Sequence, residues 1–406
     1  MPSTPPEGDP APMDGILPGP ALRELVQVES FGAYVHVPFC ASRCGYCDFN
    51  TYTAAELGGG GSQEGYPATV LSEIDLAQRV LGDPAPRFGT VFFGGGTPTL
   101  LPPEDLARVL EGIDKAFGLA TGAEVTTEAN PESVTPASLR ALRRAGFNRI
   151  SLGMQSVAPH VLTVLDRRHT PGRAAQAATE AREAGFDHVN LDLIYGTPGE
   201  RAEDFAASLD AAVAAGVDHV SAYSLIVEEG TRLHGRVRRG ELAAPDDDVA
   251  ADRYLAAEAC LSAAGLAWYE VSNWARPGAQ CRHNLGYWRG GHWWGFGPGA
   301  HSHVGGVRWW NVRHPTAYAR RLADGHSPAQ GREVLTGEQR YVEEVMLRLR
   351  LAEGQPLQRL SEPGRQAAGR ALSDGLLDPA GHAAGRAVLS LRGRLLADGV
   401  VRDLLD

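Results

Sequence analysis

The chain has 406 residues, with 38 Lys and Arg against 49 Asp and Glu, so its net charge is −11. Its hydrophobic content of 43% is that of an ordinary globular protein, which excludes collagen-like, disulfide-rich and wholly disordered classes. The length predicts two or three domains, or one large α/β unit with an appendage. Because no block of Lys and Arg offsets the negative charge, we expect no binding to nucleic acid.

The first thirty residues predict a disordered tail. Seven prolines fall within the first twenty positions, and residues 1–30 carry five acidic residues against one Arg. This segment also lacks the basic start and apolar core of a signal peptide, and no run in the chain approaches 18 apolar residues. We therefore expect a cytoplasmic protein.

Six short apolar strands, each followed by a helical pattern, account for residues 33–264. The strands are predicted at 33–37, 90–93, 124–128, 149–152, 188–194 and 219–225, and the helices at 70–81, 103–117, 136–145, 173–184, 202–214 and 247–264. Six βα units in succession predict an α/β fold with a parallel sheet, either open or curled into a partial barrel. In such a barrel the reactive groups lie at the C-terminal ends of the strands.

The pattern changes after about Arg313 to helices and short turns. We therefore predict a smaller, mostly helical C-terminal domain over residues 316–406. The barrel is expected over residues 31–245, and residues 246–315 hold the last helix and a His-Asn-x-x-Tyr-Trp string.

Three of the five cysteines, Cys40, Cys44 and Cys47, directly follow the first predicted strand with the spacing C-x3-C-x2-C. Four-iron clusters are normally held by four cysteines, so three would leave one iron open for a ligand. A zinc site with His36 as fourth ligand and a group of buried free thiols are the alternatives. Because structural zinc sites usually pair two C-x2-C units and only one occurs here, a 4Fe-4S cluster is favoured.

Polar or glycine-rich segments follow the next four predicted strands. The first is Gly94-Gly95-Gly96-Thr97, where the missing Cβ atoms allow a ligand to approach the backbone closely. Glu128, Gln155 and Asp192 then come at matching strand ends. A buried carboxylate is costly unless it is paired, so a structural salt bridge is the alternative for Glu128. Ordinary hydrogen bonding in the core is the alternative for Gln155 and Asp192.

The ordered strings YVHVPFCxxxCxYCDF, GGGTPT, EANP, GMQS and DLIYGTPG resemble the radical S-adenosylmethionine (SAM) superfamily. Within it they resemble the group related to oxygen-independent coproporphyrinogen III oxidase, over residues 31–311. The resemblance implies a partial (β/α)6 barrel and a 4Fe-4S cluster on Cys40, Cys44 and Cys47 whose open iron binds SAM. It assigns contacts with SAM to Tyr34, Tyr46, Gly95, Gly96, Thr97, Glu128, Gln155, Arg167 and Asp192. An Arg at position 167, next to a second Arg, also fits a solvated face.

Two features separate this chain from the oxidases of that group. The oxidases carry a further Cys two positions after the last cluster ligand, where this chain has Phe49. They also use an N-terminal arm near a tetrapyrrole with four propionates, which the acidic residues of this tail would repel. The string from His283 to Trp288 instead resembles a signature of the HemW family of heme chaperones, and residues 391–401 resemble the end of that family's C-terminal domain.

The second resemblance implies a chaperone that binds heme and transfers it to an acceptor protein of unknown identity. It implies heme contact at His283, Tyr287 and Trp288, and peripheral contact with membrane heme proteins. A lone His is more often a hydrogen-bonded core or surface residue, and His292, His301 and His303 could substitute as ligands. The alternative function is radical-dependent decarboxylation of a porphyrinogen, which Phe49 and the acidic tail disfavour.

Overall fold

The computed structural model describes residues 8–25, 31–57, 63–83, 85–167 and 170–405. The strands are β1 (Asp9–Pro10), β2 (Phe31–Val37), β3 (Phe88–Gly95), β4 (Leu119–Ala129), β5 (Arg149–Gln155), β6 (His188–Tyr195), β7 (His219–Ser224), β8 (Ala267–Glu270), β9 (Asn273–Ala275), β10 (His292–Phe296), β11 (His301–Val304), β12 (Val307–Asn311), β13 (Ala329–Val334), β14 (Gln355–Pro356) and β15 (Arg386–Ala387). The helices are α1 (Gly19–Leu25), α2 (Ala54–Leu57), α3 (Tyr66–Leu81), α4 (Pro103–Phe117), α5 (Pro136–Arg144), α6 (Pro159–Val164), α7 (Arg173–Glu183), α8 (Ala202–Ala214), α9 (Arg232–Arg238), α10 (Asp247–Ala263), α11 (Arg282–Trp288), α12 (Pro315–Ala323), α13 (Gly337–Arg348), α14 (Glu362–Ser373), α15 (Pro379–Ala383), α16 (Leu391–Leu395) and α17 (Ala397–Leu405).

Strands β2 to β7 lie side by side in chain order, and every neighbouring pair is parallel. This arrangement confirms the predicted α/β fold with a partial barrel. Helices α4 and α8 have the predicted bounds, and the other four predicted helices differ from the structure by a few residues at their ends. Every residue of β5 is buried, as expected for a parallel strand covered on both faces.

Apolar stripes attach the helices to the sheet. In α4, Leu106, Val109, Leu110, Ile113 and Phe117 recur at helical spacing and are all buried. They belong to the main hydrophobic core, which runs between the sheet and the helices that follow its strands. None of the helices in the described part of the chain combines the length and apolarity that crossing a bilayer requires.

The sheet continues well beyond the six predicted strands. Among the described residues thirteen strands form one sheet, in the order β1-β13-β12-β11-β10-β2-β3-β4-β5-β6-β7-β9-β8. The boundary expected at residue 316 therefore falls inside the sheet, because β13 pairs with β12. A separate core of the C-terminal part draws its buried residues from Val345 to Leu404 and is mostly helical. Short strands rich in His, Trp and Gly, such as those over 292–311, lack the apolar alternation that identifies a strand in sequence.

The prediction of a disordered tail is wrong for residues 8–25, while residues 1–7 and 26–30 lie outside the described part. Asp9 in β1 pairs with Arg332 in β13. Leu17, Ala21 and Leu25 recur every fourth residue and are buried against the sheet, which gives this proline-rich segment an apolar stripe after all. The segment is therefore part of the folded core.

We expect Leu25→Ala to lower the free energy of unfolding by about 2–5 kcal/mol, because a buried Leu leaves a cavity when it is truncated. Ile16→Ala is the matched control, since that side chain is 60% exposed and its loss should change stability by less than about 0.5 kcal/mol. Urea unfolding of the full chain measures both. Equal free energies of unfolding for the two variants would show that residues 8–25 do not contribute to the folded core.

Candidate cluster and cofactor site

A cavity of about 740 Å³ opens at the C-terminal ends of the barrel strands and extends into the barrel. Pockets that hold one drug-sized ligand have volumes of this order. All the residues predicted for the cluster and for SAM line it, namely Cys40, Cys44, Cys47, Tyr34, Tyr46, Gly95, Gly96, Thr97, Glu128, Gln155, Arg167 and Asp192. His283 and Tyr287 line it as well, whereas Trp288 does not.

The cysteine loop is anchored to the loops around it by backbone hydrogen bonds. The Cys40 N–H donates to the Tyr52 carbonyl at 3.0 Å, and the Gly45 N–H donates to the Leu165 carbonyl at 3.1 Å. The Leu233 N–H in turn donates to the Gly45 carbonyl at 2.8 Å. Three half-buried free thiols therefore face the cavity from a fixed backbone.

The chemistry of these thiols suits a metal cluster. Burial raises the pKa of Cys40 to about 11 and also raises that of Cys47, so a bound cation is needed to hold them as thiolates. Among the described residues no three His, Cys, Asp or Glu side chains converge to hold a single metal ion. In a four-iron cluster each thiolate binds a different iron, so its ligands need not converge on one point.

Arg167 turns toward the cysteine loop. Its Nη1 donates to the Cys44 sulfur at 3.4 Å, and its Nη2 donates to the Gly153 carbonyl at 3.2 Å. The guanidinium therefore places a positive charge beside the Cys44 sulfur. The alternative of a solvated face therefore does not describe Arg167.

His36, the fourth ligand of the alternative zinc site, is occupied on both sides of its ring. Its Nδ1 lies 3.0 Å from the Tyr34 hydroxyl, and its Nε2 lies 2.9 Å from the Asn50 carbonyl. Burial lowers the pKa of His36 to about 4, so the ring is neutral. Its role is to hold Tyr34 at the cavity wall.

The glycine-rich turn packs so closely on β2 and on the residue before the cysteine loop that side chains at Gly95 and Gly96 would collide with them. At Gly95, whose φ is +111°, a Cβ would lie 2.5 Å from Cε1 of His36. At Gly96 a Cβ would lie 2.4 Å from the Phe39 carbonyl oxygen. Distances this short force something to move, so the turn needs glycine to approach the cysteine loop and leave the cavity open.

Glu128 is bound to this turn, because its Oε2 accepts the Gly95 N–H at 3.0 Å. Burial, and then the charge of Asp192, raises the pKa of Glu128 to about 8, while the Gly95 hydrogen bond opposes the shift. No cation of the described residues contributes to this shift, which argues against the alternative of a salt bridge. Within the part of the chain that the structure describes, Glu128 is therefore a carboxyl group in the cavity wall without a counter-ion.

Gln155 and Asp192 differ in whether their side-chain oxygen atoms have hydrogen-bond partners within the protein. Asp192 accepts hydrogen bonds from Ser151 at 2.9 Å and from Asn190 at 2.7 Å, as a hydrogen-bonded core residue would. Gln155 is 6% exposed and its φ is +60°, yet its Oε1 has no partner among the described residues. A strained backbone that presents an unpaired buried acceptor is typical of a ligand site. Together with the open turn at Gly95, this acceptor fits a polar ligand such as SAM.

The helix that carries the His-Asn-x-x-Tyr-Trp string, α11, begins inside the barrel on a buried charge pair. The Glu124 carboxylate accepts the N–H groups of Arg282 at 3.1 Å and of His283 at 3.0 Å. Arg149 lies 3.6 Å from the same carboxylate, and both side chains are almost fully buried. Sequence analysis missed Glu124 and Arg149, although a charge at the start of an apolar strand is the signal that marks them.

The three residues expected to contact heme have different surroundings. His283 is 3% exposed, and its ring stacks on Phe92 with centroids 5.2 Å apart. Its Nδ1 lies 2.8 Å from the Thr90 hydroxyl, and its Nε2 lies 2.8 Å from the Tyr287 hydroxyl. Trp288 instead lies near the buried Glu270 and outside the cavity lining. His292, His301 and His303 also lie outside the cavity lining.

Comparisons with known proteins agree with this site. The Radical SAM superfamily matches residues 34–212. The chain is 58% identical over 396 residues to the heme chaperone HemW of Mycobacterium tuberculosis, covering 98% of both chains. It is 36% identical to that of Escherichia coli, covering 82% of this chain and 85% of that one. Coproporphyrinogen III oxidase (HemN) from Escherichia coli has a similar structure, with a TM-score of 0.80 at 21% identity over 97% of this chain and 94% of that one.

The fold and the site thus define a radical SAM protein, a class whose cofactors are a 4Fe-4S cluster and SAM. By its similarity over nearly the full length, the chain belongs to the HemW family. The three free thiols, the open glycine turn and the unpaired acceptor of Gln155 fit the cofactors of that class.

We expect anaerobic reconstitution with iron and sulfide to give a brown protein whose colour depends on the cysteine loop. Cys40→Ala, Cys44→Ala and Cys47→Ala should each abolish the colour and the bound iron, because each removes a ligand. Cys260→Ala and Cys281→Ala are the controls and should keep both. Zinc in place of iron, in protein purified without oxygen, would contradict the cluster.

We expect Glu128→Ala to weaken SAM binding about tenfold while the iron content stays unchanged, since losing the partner of a buried hydrogen bond costs about 1–3 kcal/mol. Glu200→Ala is a matched control, because Glu200 is also buried and accepts a backbone N–H, from Gly196 at 2.8 Å, but lies outside the cavity lining. Equilibrium dialysis with labelled SAM measures both. Equal SAM affinities in the two variants would remove Glu128 from the site.

Proposed function

We propose that this protein is a heme chaperone, which binds heme and transfers it to an acceptor protein while carrying a 4Fe-4S cluster and SAM. The observation that carries the proposal is the 58% identity to the heme chaperone HemW of Mycobacterium tuberculosis over 98% of both chains. Identity of this extent covers the barrel, the α11 segment and the C-terminal part together. We also propose that the protein passes heme to an acceptor protein whose identity is unknown, and that it makes peripheral contact with membrane heme proteins.

In this proposal, different residues of the cavity hold the cluster and SAM. Cys40, Cys44 and Cys47 would hold the cluster, which when bound would supply one-electron chemistry and an open iron for SAM. Arg167 places a positive charge beside the Cys44 sulfur. Glu128 keeps the Gly95 turn in position and presents its other oxygen to the cavity. The glycine turn, Tyr34 and Gln155 would hold SAM, and the unpaired Oε1 atom of Gln155 would serve as a hydrogen-bond acceptor for it.

Phe49 is the local reason to prefer the chaperone to the oxidase. Its side chain lines the cavity and is 47% exposed, so the mouth presents an aromatic ring at this position in place of a thiol. The acidic tail no longer supports this choice, because Asp9 and Pro10 pair with β13 and none of residues 8–25 lines the cavity. The fold similarity to HemN does not distinguish the two functions, because the same fold is compatible with either of them.

The test is a heme titration run in parallel with an oxidase assay on the same anaerobically reconstituted protein. We expect a saturable, roughly equimolar shift of the Soret band that does not require SAM. With SAM and a reductant present, coproporphyrinogen III should not be turned over. Protein heated to unfold it controls for nonspecific heme adsorption. Turnover without saturable heme binding would replace the chaperone by the oxidase.

A further inference from the structure

His283 has no free ring nitrogen with which to bind iron. Its Nδ1 and the Thr90 hydroxyl are 2.8 Å apart, and its Nε2 and the Tyr287 hydroxyl are also 2.8 Å apart. Burial lowers the pKa of His283 to about 3, so the imidazole is neutral and carries one N–H and one lone pair. Both nitrogens are therefore engaged before any heme arrives.

The choice of tautomer does not release Nε2. If Nδ1 carries the proton, Nδ1 donates to Thr90 and the Nε2 lone pair accepts the Tyr287 O–H. If Nε2 carries the proton, it donates to the Tyr287 oxygen and has no lone pair to offer. Axial ligation of heme iron needs a nitrogen lone pair, so ligation through Nε2 requires the contact with Tyr287 to open.

The two partners of His283 differ in their freedom to move. Thr90 lies within β3, between two hydrogen-bonded parallel strands, and is 6% exposed. Tyr287 lies in the last turn of the seven-residue helix α11, is only half buried and lines the cavity. Its ring meets Trp293 edge-on with centroids 4.6 Å apart. The bond from Nε2 to Tyr287 is thus the one that can open toward the cavity.

We propose that the Tyr287 hydroxyl blocks Nε2 of His283 in the heme-free protein and must turn away before this histidine ligates heme iron. Tyr287 is then a positioning residue with two opposing effects: its ring offers contact to the macrocycle and its hydroxyl competes with the iron. Thr90 keeps the ring oriented so that Nε2, once released, faces the cavity. This inference rests on the proposed function, because it concerns how the same protein takes up heme.

Tyr287→Phe separates the two effects of the tyrosine, since it removes the hydroxyl and keeps the ring. We expect this variant to bind heme about tenfold more tightly than the wild type, because one buried hydrogen bond no longer has to break. Its spectrum should keep the signature of a histidine ligand. Thr90→Val is the matched control: it removes the other hydrogen bond of equal length and leaves Nε2 blocked, so heme affinity should not rise.

The experiment titrates hemin into the full-length reconstituted protein and follows the Soret band, with electron paramagnetic resonance reporting the axial ligand. The double variant Tyr287→Phe, His283→Ala should lose the gain in affinity, because there is no nitrogen left to release. Circular dichroism and iron content check that each variant is folded. If Tyr287→Phe does not fold, Tyr287→Leu removes the same hydroxyl and should show the same histidine signature with Nε2 released.

The outcomes separate this inference from the proposed function. If the wild type binds no heme, the proposed function fails and the inference fails with it. If the wild type binds heme and Tyr287→Phe has the same affinity and spectrum, the function stands and the blocking role of Tyr287 is overturned. Tighter binding in Thr90→Val than in Tyr287→Phe would overturn it as well, since Nδ1 would then be the ligating nitrogen.

Discussion

The parallel alignment of β2 to β7 is the constraint on which the rest of the structure depends. Parallel strands bring their carboxyl ends to one rim, so Cys40 and Asp192, which are 152 residues apart in the chain, line the same cavity. The rim is tightened by close contacts between neighbouring strand ends, such as the Gly95 N–H on Glu128. A side chain at Gly96 would collide with the backbone of Phe39, directly before Cys40, and one at Gly95 would collide with the His36 ring.

At the opposite end the barrel is entered by α11, and the buried pair of Glu124 and Arg149 determines where that helix starts. A buried ion pair is costly to desolvate, and this one is compensated because Glu124 also accepts two backbone N–H groups and Arg149 donates to the Ala279 carbonyl at 2.7 Å. The pair therefore works less as a source of stability than as a means of orienting a short helix. Through that helix it sets the position of His283 in the cavity that the residues proposed to hold SAM also line.

Sequence analysis predicted the barrel strands and the cavity residues because both have local signals, apolar runs for the strands and clustered motifs for the cavity. The placement of Trp288 outside the cavity had no such signal, since Trp288 lies near Glu270, a tertiary neighbour that sequence spacing does not reveal. The packing of Leu17, Ala21 and Leu25 was concealed by the prolines before and between them. The strands over 292–311 pair with β2 and with one another, and nonlocal pairing of short, irregular strands is decided by their neighbours rather than by their own residues.

The residues proposed to hold SAM and the histidine proposed to ligate heme line one cavity. His283 is 3% exposed, so heme that reaches it must enter through this cavity or displace α11. In the proposed function the protein carries SAM while it binds heme, so the two ligands are neighbours in this cavity. Because linkage is reciprocal, the factor by which SAM changes the affinity for heme is also the factor by which heme changes the affinity for SAM.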